Sequence, residues 1–197
     1  MNTYVKRSMQ RRKTILFLSI FILFSALFAE GWQENAAMFN PSGVPSLSFS
    51  QPRFADLDAD GDMDMVLGSI SAKPYYMTNV GNASSPMFSH SEDIFENVTE
   101  LDAEMGVFSD IDNDGDLDFI TGGYLGLSLY KNTGTVNYPI FEKEDDFFSG
   151  LQVGSNPVPD LADIDNDGDD DLVVGFSENG SVKIYINSGS DSVAVFL

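Results

Sequence analysis

Three nine-residue stretches carry the chemistry of this chain: DLDADGDMD at 56–64, DIDNDGDLD at 110–118 and DIDNDGDDD at 163–171. Each places Asp at positions 1, 3, 5, 7 and 9, Gly at position 6 and an apolar residue at position 2. Carboxylates this close repel one another, so the design needs a counter-charge. Oxygen donors on alternate positions suit a hard cation that takes roughly 6–8 oxygen ligands, which points to Ca²⁺. Glycine at position 6 (Gly61, Gly115, Gly168) permits the positive φ that wraps a loop around an ion. Position 7 (Asp62, Asp116, Asp169) offers its backbone carbonyl, and its side chain is expected in solvent or hydrogen-bonded just outside the ion's ligands. Leu57, Ile111 and Ile164 at position 2 are expected to anchor each loop to the core.

Three neighbouring chemistries fit less well. An EF-hand loop needs a bidentate Glu at position 12; that position holds Leu67, Thr121 and Val174. Strand-like residues follow each loop where an EF-hand would have a helix. Mg²⁺ keeps several waters and uses few carboxylates, so five in one loop favour the larger ion. Carboxylate pairs also serve glycosidases, but identical spacing in every copy fits ligation better.

The loops are fixed points of a longer repeat. Their first Asp recurs at 56, 110 and 163, a period that signals a solenoid, propeller or array. Each loop is followed by an apolar run and Gly: MVLG, FITG and LVVG. Asn79-Val80-Gly81, Asn132-Thr133-Gly134 and Asn187-Ser188-Gly189 come next, with Phe88, Phe141 and Phe196 nine residues after each Asn. Phe95 and Phe148 stand seven residues after the first two of these. Within a unit, EMGVFSDI reads as a strand into the loop and LDFITGG as a strand out of it. LSLYKN alternates, YPIFE is short and turn-bounded, and SVKIYIN sets Val182, Ile184 and Ile186 on one face against Lys183 and Tyr185. No window after Ala29 carries a helical apolar stripe. Four short strands in about 53 residues is the content of one propeller blade. The expected fold is therefore all-β, with blades of four antiparallel strands in units near 44–97, 98–150 and 151–197.

The pattern D-x-D-x-D-G-D-x-D, followed by two apolar residues, one further residue and Gly, resembles the FG-GAP/VCBS repeats, related to the blades of the integrin α-subunit propeller. The resemblance covers roughly residues 44–197. It implies that each loop joins the first two strands of a blade and binds calcium. Carried over position by position, it implies ligands at Asp56, Asp58, Asp60 and Asp64; at Asp110, Asp112, Asp114 and Asp118; and at Asp163, Asp165, Asp167 and Asp171. Asp62, Asp116 and Asp169 would contribute their carbonyls, giving three Ca²⁺ ions. The Phe-Gly and Gly-Ala-Pro signatures of the integrin form are absent. Closed propellers of the family have about seven blades, and about four is the general minimum. Three copies are therefore expected to be a partial propeller within a longer protein, with closure by self-association or an open arc as alternatives. The last residues, VAVFL, align with the middle of a final strand.

Composition narrows the partners. The 16 Phe and seven Tyr can fill a sizeable core, and without cysteine there is neither a disulfide nor a thiolate metal site. Lys6, Arg7, Arg11, Arg12 and Lys13 precede the apolar run Ile15–Ala29, the layout of a secretory signal. Residues 1–29 are expected to be cleaved after export, with a retained signal-anchor as the alternative; the run is short for a membrane span. Beyond Ala29 only Arg53, Lys73, Lys131, Lys143 and Lys183 face all 31 acidic residues, a formal balance of −26. Such a surface repels nucleic acid and anionic lipid and attracts cations.

The sequence offers no catalytic constellation. His90, the single histidine, has no identifiable nucleophile or orienting partner and reads as a loop residue. Trp32 reads as packing at the edge of the first unit. The sequons beginning at Asn82, Asn97 and Asn179 include turn-like sequence. The expected function is an exported, non-enzymatic calcium-binding module, secreted, periplasmic or cell-surface, that recognises a protein or carbohydrate in adhesion or serves as an extracellular scaffold. The alternative is the non-catalytic propeller part of a larger secreted polysaccharide-degrading enzyme.

Overall fold

The acidic stretches are too polar for a sheet interior, and the apolar runs beside them are too short for anything but strands. Hairpins built around the loops resolve both constraints. In the computed structural model, residues 36–197 are described, apart from 41, 45, 71, 92, 100–104, 177–179 and 190–192. Residues 1–29, expected to be a secretory signal, Trp32 and Asn179 lie outside the described residues.

Among the described residues, twelve strands form three sheets. The first contains β1 (Phe39–Asn40), β2 (Gln51–Ala55), β3 (Asp64–Ser69), β4 (Ala72–Asn79) and β5 (Phe88–His90) in the order β1-β5-β4-β3-β2. The second contains β6 (Met105–Ser109), β7 (Asp118–Gly123), β8 (Gly126–Asn132) and β9 (Phe141–Glu144), in chain order. The third contains β10 (Val158–Ala162), β11 (Asp171–Gly175) and β12 (Val182–Tyr185). Among the described residues the only helix is a 3₁₀ turn at Ala36–Met38. The fold is all-β, and none of the three sheets closes on itself.

Two sheets depart from the four-stranded expectation. β1 adds a fifth strand to the first, parallel to β5 through Phe39↔Phe88 and Asn40↔Ser89. The third has three strands and a lone bridge, Asn187↔Phe196. That bridge matches Asn79↔Phe88 and Asn132↔Phe141 in the other sheets. The nine-residue Asn-to-Phe interval is therefore the span of the turn between the third and fourth strands.

The central strands β3 and β7 are buried along their whole length, which is why they read as unbroken apolar runs. Their side chains alternate between two neighbours. On β7, Phe119 packs with Val66, Tyr76 and Leu57 of the first unit, while Ile120 packs with Leu172 and Val174 of the third. Residues from the connections wedge into the same junctions. Phe95 is fully buried and stacks on Phe141, with centroids 5.3 Å apart at 9°. Phe148 stacks on Phe196 in the next junction at 6.1 Å and 25°. The paired phenylalanines of the repeat are thus the filling between sheets.

The third unit holds one correction and settles which face of β12 turns inward. Ile164, expected to anchor its loop, is 46% exposed, whereas Leu57 and Ile111 are 3% and 7% exposed. On β12, Val182 and Ile184 are exposed, and it is Tyr185 that packs on the core.

Candidate metal centre

Each acidic loop connects the first two antiparallel strands of its repeat: 56–64 between β2 and β3, 110–118 between β6 and β7, 163–171 between β10 and β11. The loops hold their shape through their own carboxylates. At position 1, Asp110 Oδ1 accepts from Asp114 N and its Oδ2 from Gly115 N, both at 3.0 Å. Asp56 does the same with Asp60 N and Gly61 N at 3.2 and 3.1 Å. Asp163 repeats it with Asp167 N and Gly168 N at 3.2 and 3.3 Å. At position 5, Asp60, Asp114 and Asp167 each accept from the N–H two residues on, at 3.0–3.1 Å. Gly61, Gly115 and Gly168 have φ of 94°, 98° and 105°, a backbone that position 6 requires and that side chains oppose.

Position 9 has a different task. Asp64, Asp118 and Asp171 are almost fully buried, at 1%, 2% and 0% exposure. One oxygen of each accepts from the N–H of position 2: Leu57 at 3.2 Å, Ile111 at 3.3 Å and Ile164 at 2.9 Å. The other accepts from the N–H of Asn79, Asn132 or Asn187, at 2.7, 2.8 and 2.7 Å. In the first unit Tyr76 also donates its hydroxyl to Asp64 Oδ2 at 2.6 Å. The ninth carboxylate thus ties the start of the loop to the end of the third strand.

The asparagine extends this network. Asn132 Oδ1 accepts from Gly134 N and Ile140 N, both at 3.0 Å, which shapes the turn to the fourth strand. Asn79 and Asn187 make the equivalent pairs. A Cβ on Gly81, Gly134 or Gly189 would collide with the carbonyls of Ser85, Tyr138 or Val193. The repeated Asn-x-Gly marks the sequence with this network, but spacing alone did not reveal its task.

The structure brings the carboxylates together in groups of three. Asp56, Asp58 and Asp60 offer oxygens within 4.8 Å of one another, as do Asp110, Asp112 and Asp114. In the third loop the group is Asp163, Asp165 and Asp171. Asp64 and Asp118 stand outside the first two groups, Asp167 outside the third, and position 7 outside all three. Of the two settings expected at position 7, the first two loops show the one outside the ion's ligands, with Asp62 hydrogen-bonded to the Asn79 side chain and Asp116 to that of Asn132. Asp62 is 8% exposed, and Asp62 Oδ1 and Asp116 Oδ1 are shielded from solvent with no hydrogen-bond partner. Asp112 Oδ1 is in the same condition. Such acceptors are costly unless a donor or a cation faces them.

Proton affinities report the same crowding. Burial, opposed by the N–H donors of Asn132 and Ile111 and reinforced by Asp112 and Asp114, pushes Asp118 up to about 7. Desolvation and the neighbouring carboxylates also raise Asp58, Asp62, Asp116 and Asp165. The second loop has a partial remedy of its own. Lys131 Nζ lies 3.1 Å from Asp112 Oδ2 and 3.3 Å from Glu144 Oε2. The corresponding residue before the asparagine is Thr78 in the first unit and Ile186 in the third, so this counter-ion is private to the second loop.

The remaining candidates stay apart from this chemistry. His90 ends β5, beside Tyr75 at a 6.2 Å ring separation. Asn82 is a turn residue whose Oδ1 accepts from Ser84 N and Ser85 N. No helix among the described residues is long and apolar enough to cross a membrane.

Residues 110–174 match the family described as FG-GAP-like repeat, a span running from the first Asp of the second loop into β11. No curated protein matches the chain in a direct sequence comparison. The matched span takes in the second and third acidic loops, and the loop, the asparagine network and the strand register also recur before it, in the first unit; over this span the chain is similar to the FG-GAP-like repeats, which supports a β-propeller-type repeat module.

Proposed function

We propose that this chain is an exported calcium-binding recognition or adhesion module in which Ca²⁺ is structural. The observation that carries the reading is the convergence of carboxylates in all three loops, paired in the first two with shielded oxygens that have no hydrogen-bond partner. The donor set is all oxygen and strongly anionic, which suits a hard divalent cation. Asp56, Asp58 and Asp60 would hold the ion of the first loop and Asp110, Asp112 and Asp114 that of the second. Asp163, Asp165 and Asp171 would hold that of the third, with Asp167 alongside. Asp62, Asp116 and Asp169 stand ready to add oxygens from side chain or backbone, and Asp64 and Asp118 brace the loops from beneath.

The ion supplies the charge that the loops lack, and its binding energy becomes folding energy. At a free concentration 100-fold above its dissociation constant, one ion stabilises the fold by about 2.7 kcal/mol. That role matters in a chain without cysteine. Export rests on the basic and apolar order of residues 1–29, and recognition on the exposed loops and acidic surface left around a fixed scaffold. The module is proposed to be non-enzymatic and to take a protein or carbohydrate ligand. Thermal melts in millimolar Ca²⁺ and in excess chelator test the metal claim. A rise in midpoint with Ca²⁺, saturating with concentration, is expected; superimposable melts would refute it.

A further inference from the structure

Two internal junctions bury the same register positions. Toward the second unit, the first presents Leu57, Val66 and Tyr76, at 3%, 2% and 7% exposure. Toward the third, the second presents Ile111, Ile120 and Leu129, at 7%, 0% and 0%. In each case the first residue is position 2 of the loop, and the other two are a cross-strand pair, Val66↔Tyr76 and Ile120↔Leu129. The third unit carries Ile164 and the pair Val173↔Ile184 at these positions. There, Ile164 is 46% and Ile184 53% exposed. This is a junction face without its neighbour.

The opposite end of the three-sheet body shows the other half. Phe108, paired with Phe119, and Leu117 pack toward the first unit. Their counterparts in that unit are Phe54, paired with Met65, and Met63. Phe54 is 56% and Met63 58% exposed. The connecting wedge is in place as well. Val44 stands twelve residues before its loop, as Val98 and Leu151 do before theirs, and it packs on Met65, Leu67 and Met77.

We propose that the exposed face of the third unit receives the first unit of a second copy of this chain, head to tail. One molecule carries both halves of a contact that it already makes twice internally, in matching register and chemistry. A heterologous contact closes into a ring when its rotation allows. The three described sheets of each of two copies would together make six, within the roughly 4–8 blades of known propellers. Each copy thus completes the other's sheet stack.

Sedimentation equilibrium of the purified full chain in Ca²⁺ and near-physiological salt, with Ile184→Asp and Phe54→Asp variants, tests this. The wild type is expected at twice the chain mass. Each variant is expected as a monomer with an unchanged circular-dichroism spectrum and the melting midpoint of wild type diluted until its dimer dissociates, because both positions are exposed in the single chain and a buried carboxylate opposes the contact. Mixing the two variants leaves one wild-type junction per pair and is expected to restore dimers at higher concentration. Neither substitution touches the N-terminal apolar run, so loss of the dimer assigns association to these faces. A monomeric wild type would overturn the proposal, as would a dimer that survives Ile184→Asp. A dimer lost with Ile184→Asp but kept with Phe54→Asp would also overturn it, since that means third units pairing with each other.

Discussion

The backbone N–H of Asn132 donates to Asp118 Oδ1 at 2.8 Å, joining the end of the third strand of the second unit to the last residue of its acidic loop. The same bond recurs between Asn79 and Asp64 and between Asn187 and Asp171. It divides the loop carboxylates into two kinds. The ninth is a buried brace that the sheet uses with or without metal. The first, third and fifth are half-buried or exposed and converge on a common point in the first two loops; in the third loop Asp171 takes the place of the fifth in that group.

That division is testable by substitution. Asp118→Ala strips the acceptor from Ile111 N and Asn132 N, both buried. It is expected to cost about 3 kcal/mol even in chelator, as two buried donors lose a charged partner. Asp114→Ala removes one exposed hydrogen bond and is expected to change metal-free stability by less than about 1 kcal/mol. It should abolish the Ca²⁺-dependent gain of the second loop. Urea denaturation of both variants, with and without Ca²⁺, separates the two behaviours.

Acid should stabilise the metal-free protein. Asp118 titrates near 7 when folded, against about 3.9 for an unperturbed Asp, so the folded state takes up the proton first. Stability is therefore lowest above pH 7 and rises as pH falls through 7 toward 4. The raised Asp58, Asp62, Asp116 and Asp165 act in the same direction. In chelator, the melting midpoint is expected to be higher at pH 5 than at pH 8. In Ca²⁺ the slope should flatten or invert, because protons compete with the ion for the same oxygens. A metal-free midpoint that falls on acidification would contradict the assignment.

Much of this architecture is legible in the residues. The 53–54-residue interval, the nine-residue loops and the short apolar runs define three hairpin-based units, and the structure has three sheets. Which of its two expected settings the position-7 side chain takes depends on the whole loop wrapping inward, which spacing cannot convey. Asn79, Asn132 and Asn187 were visible as repeat marks. Their acceptor role depends on a fold that brings position 9 of the loop beside the third strand, 14–16 residues later in the chain. Ile164 and Ile184 look like core in sequence because their counterparts are core. Their exposure reflects which neighbour a unit has, a tertiary fact. β1 is a two-residue strand that carries too little pattern to be read.

The three loops should not bind equally. Lys131 places a cation beside Asp112 only in the second loop. Burial works against its charge, yet the Asp112 and Glu144 hydrogen bonds outweigh that and keep it protonated. Lys131→Met, which keeps the stem and removes the charge, is expected to tighten Ca²⁺ binding at one site by about tenfold, on the order of 1.4 kcal/mol for a nearby like charge. Isothermal titration should then show one class of sites moving while the others stay fixed. Weaker or unchanged binding in the variant would show that Lys131 supports the loop more than it competes.

The most direct measurement is a crystal structure grown in millimolar Ca²⁺ with long-wavelength anomalous data. An anomalous peak is expected in each loop: among Asp56, Asp58 and Asp60; among Asp110, Asp112 and Asp114; and between Asp163, Asp165 and Asp171. Oxygen distances of about 2.3–2.6 Å are expected around each peak. Loops without anomalous signal, holding only water among outward-turned carboxylates, would contradict the calcium account.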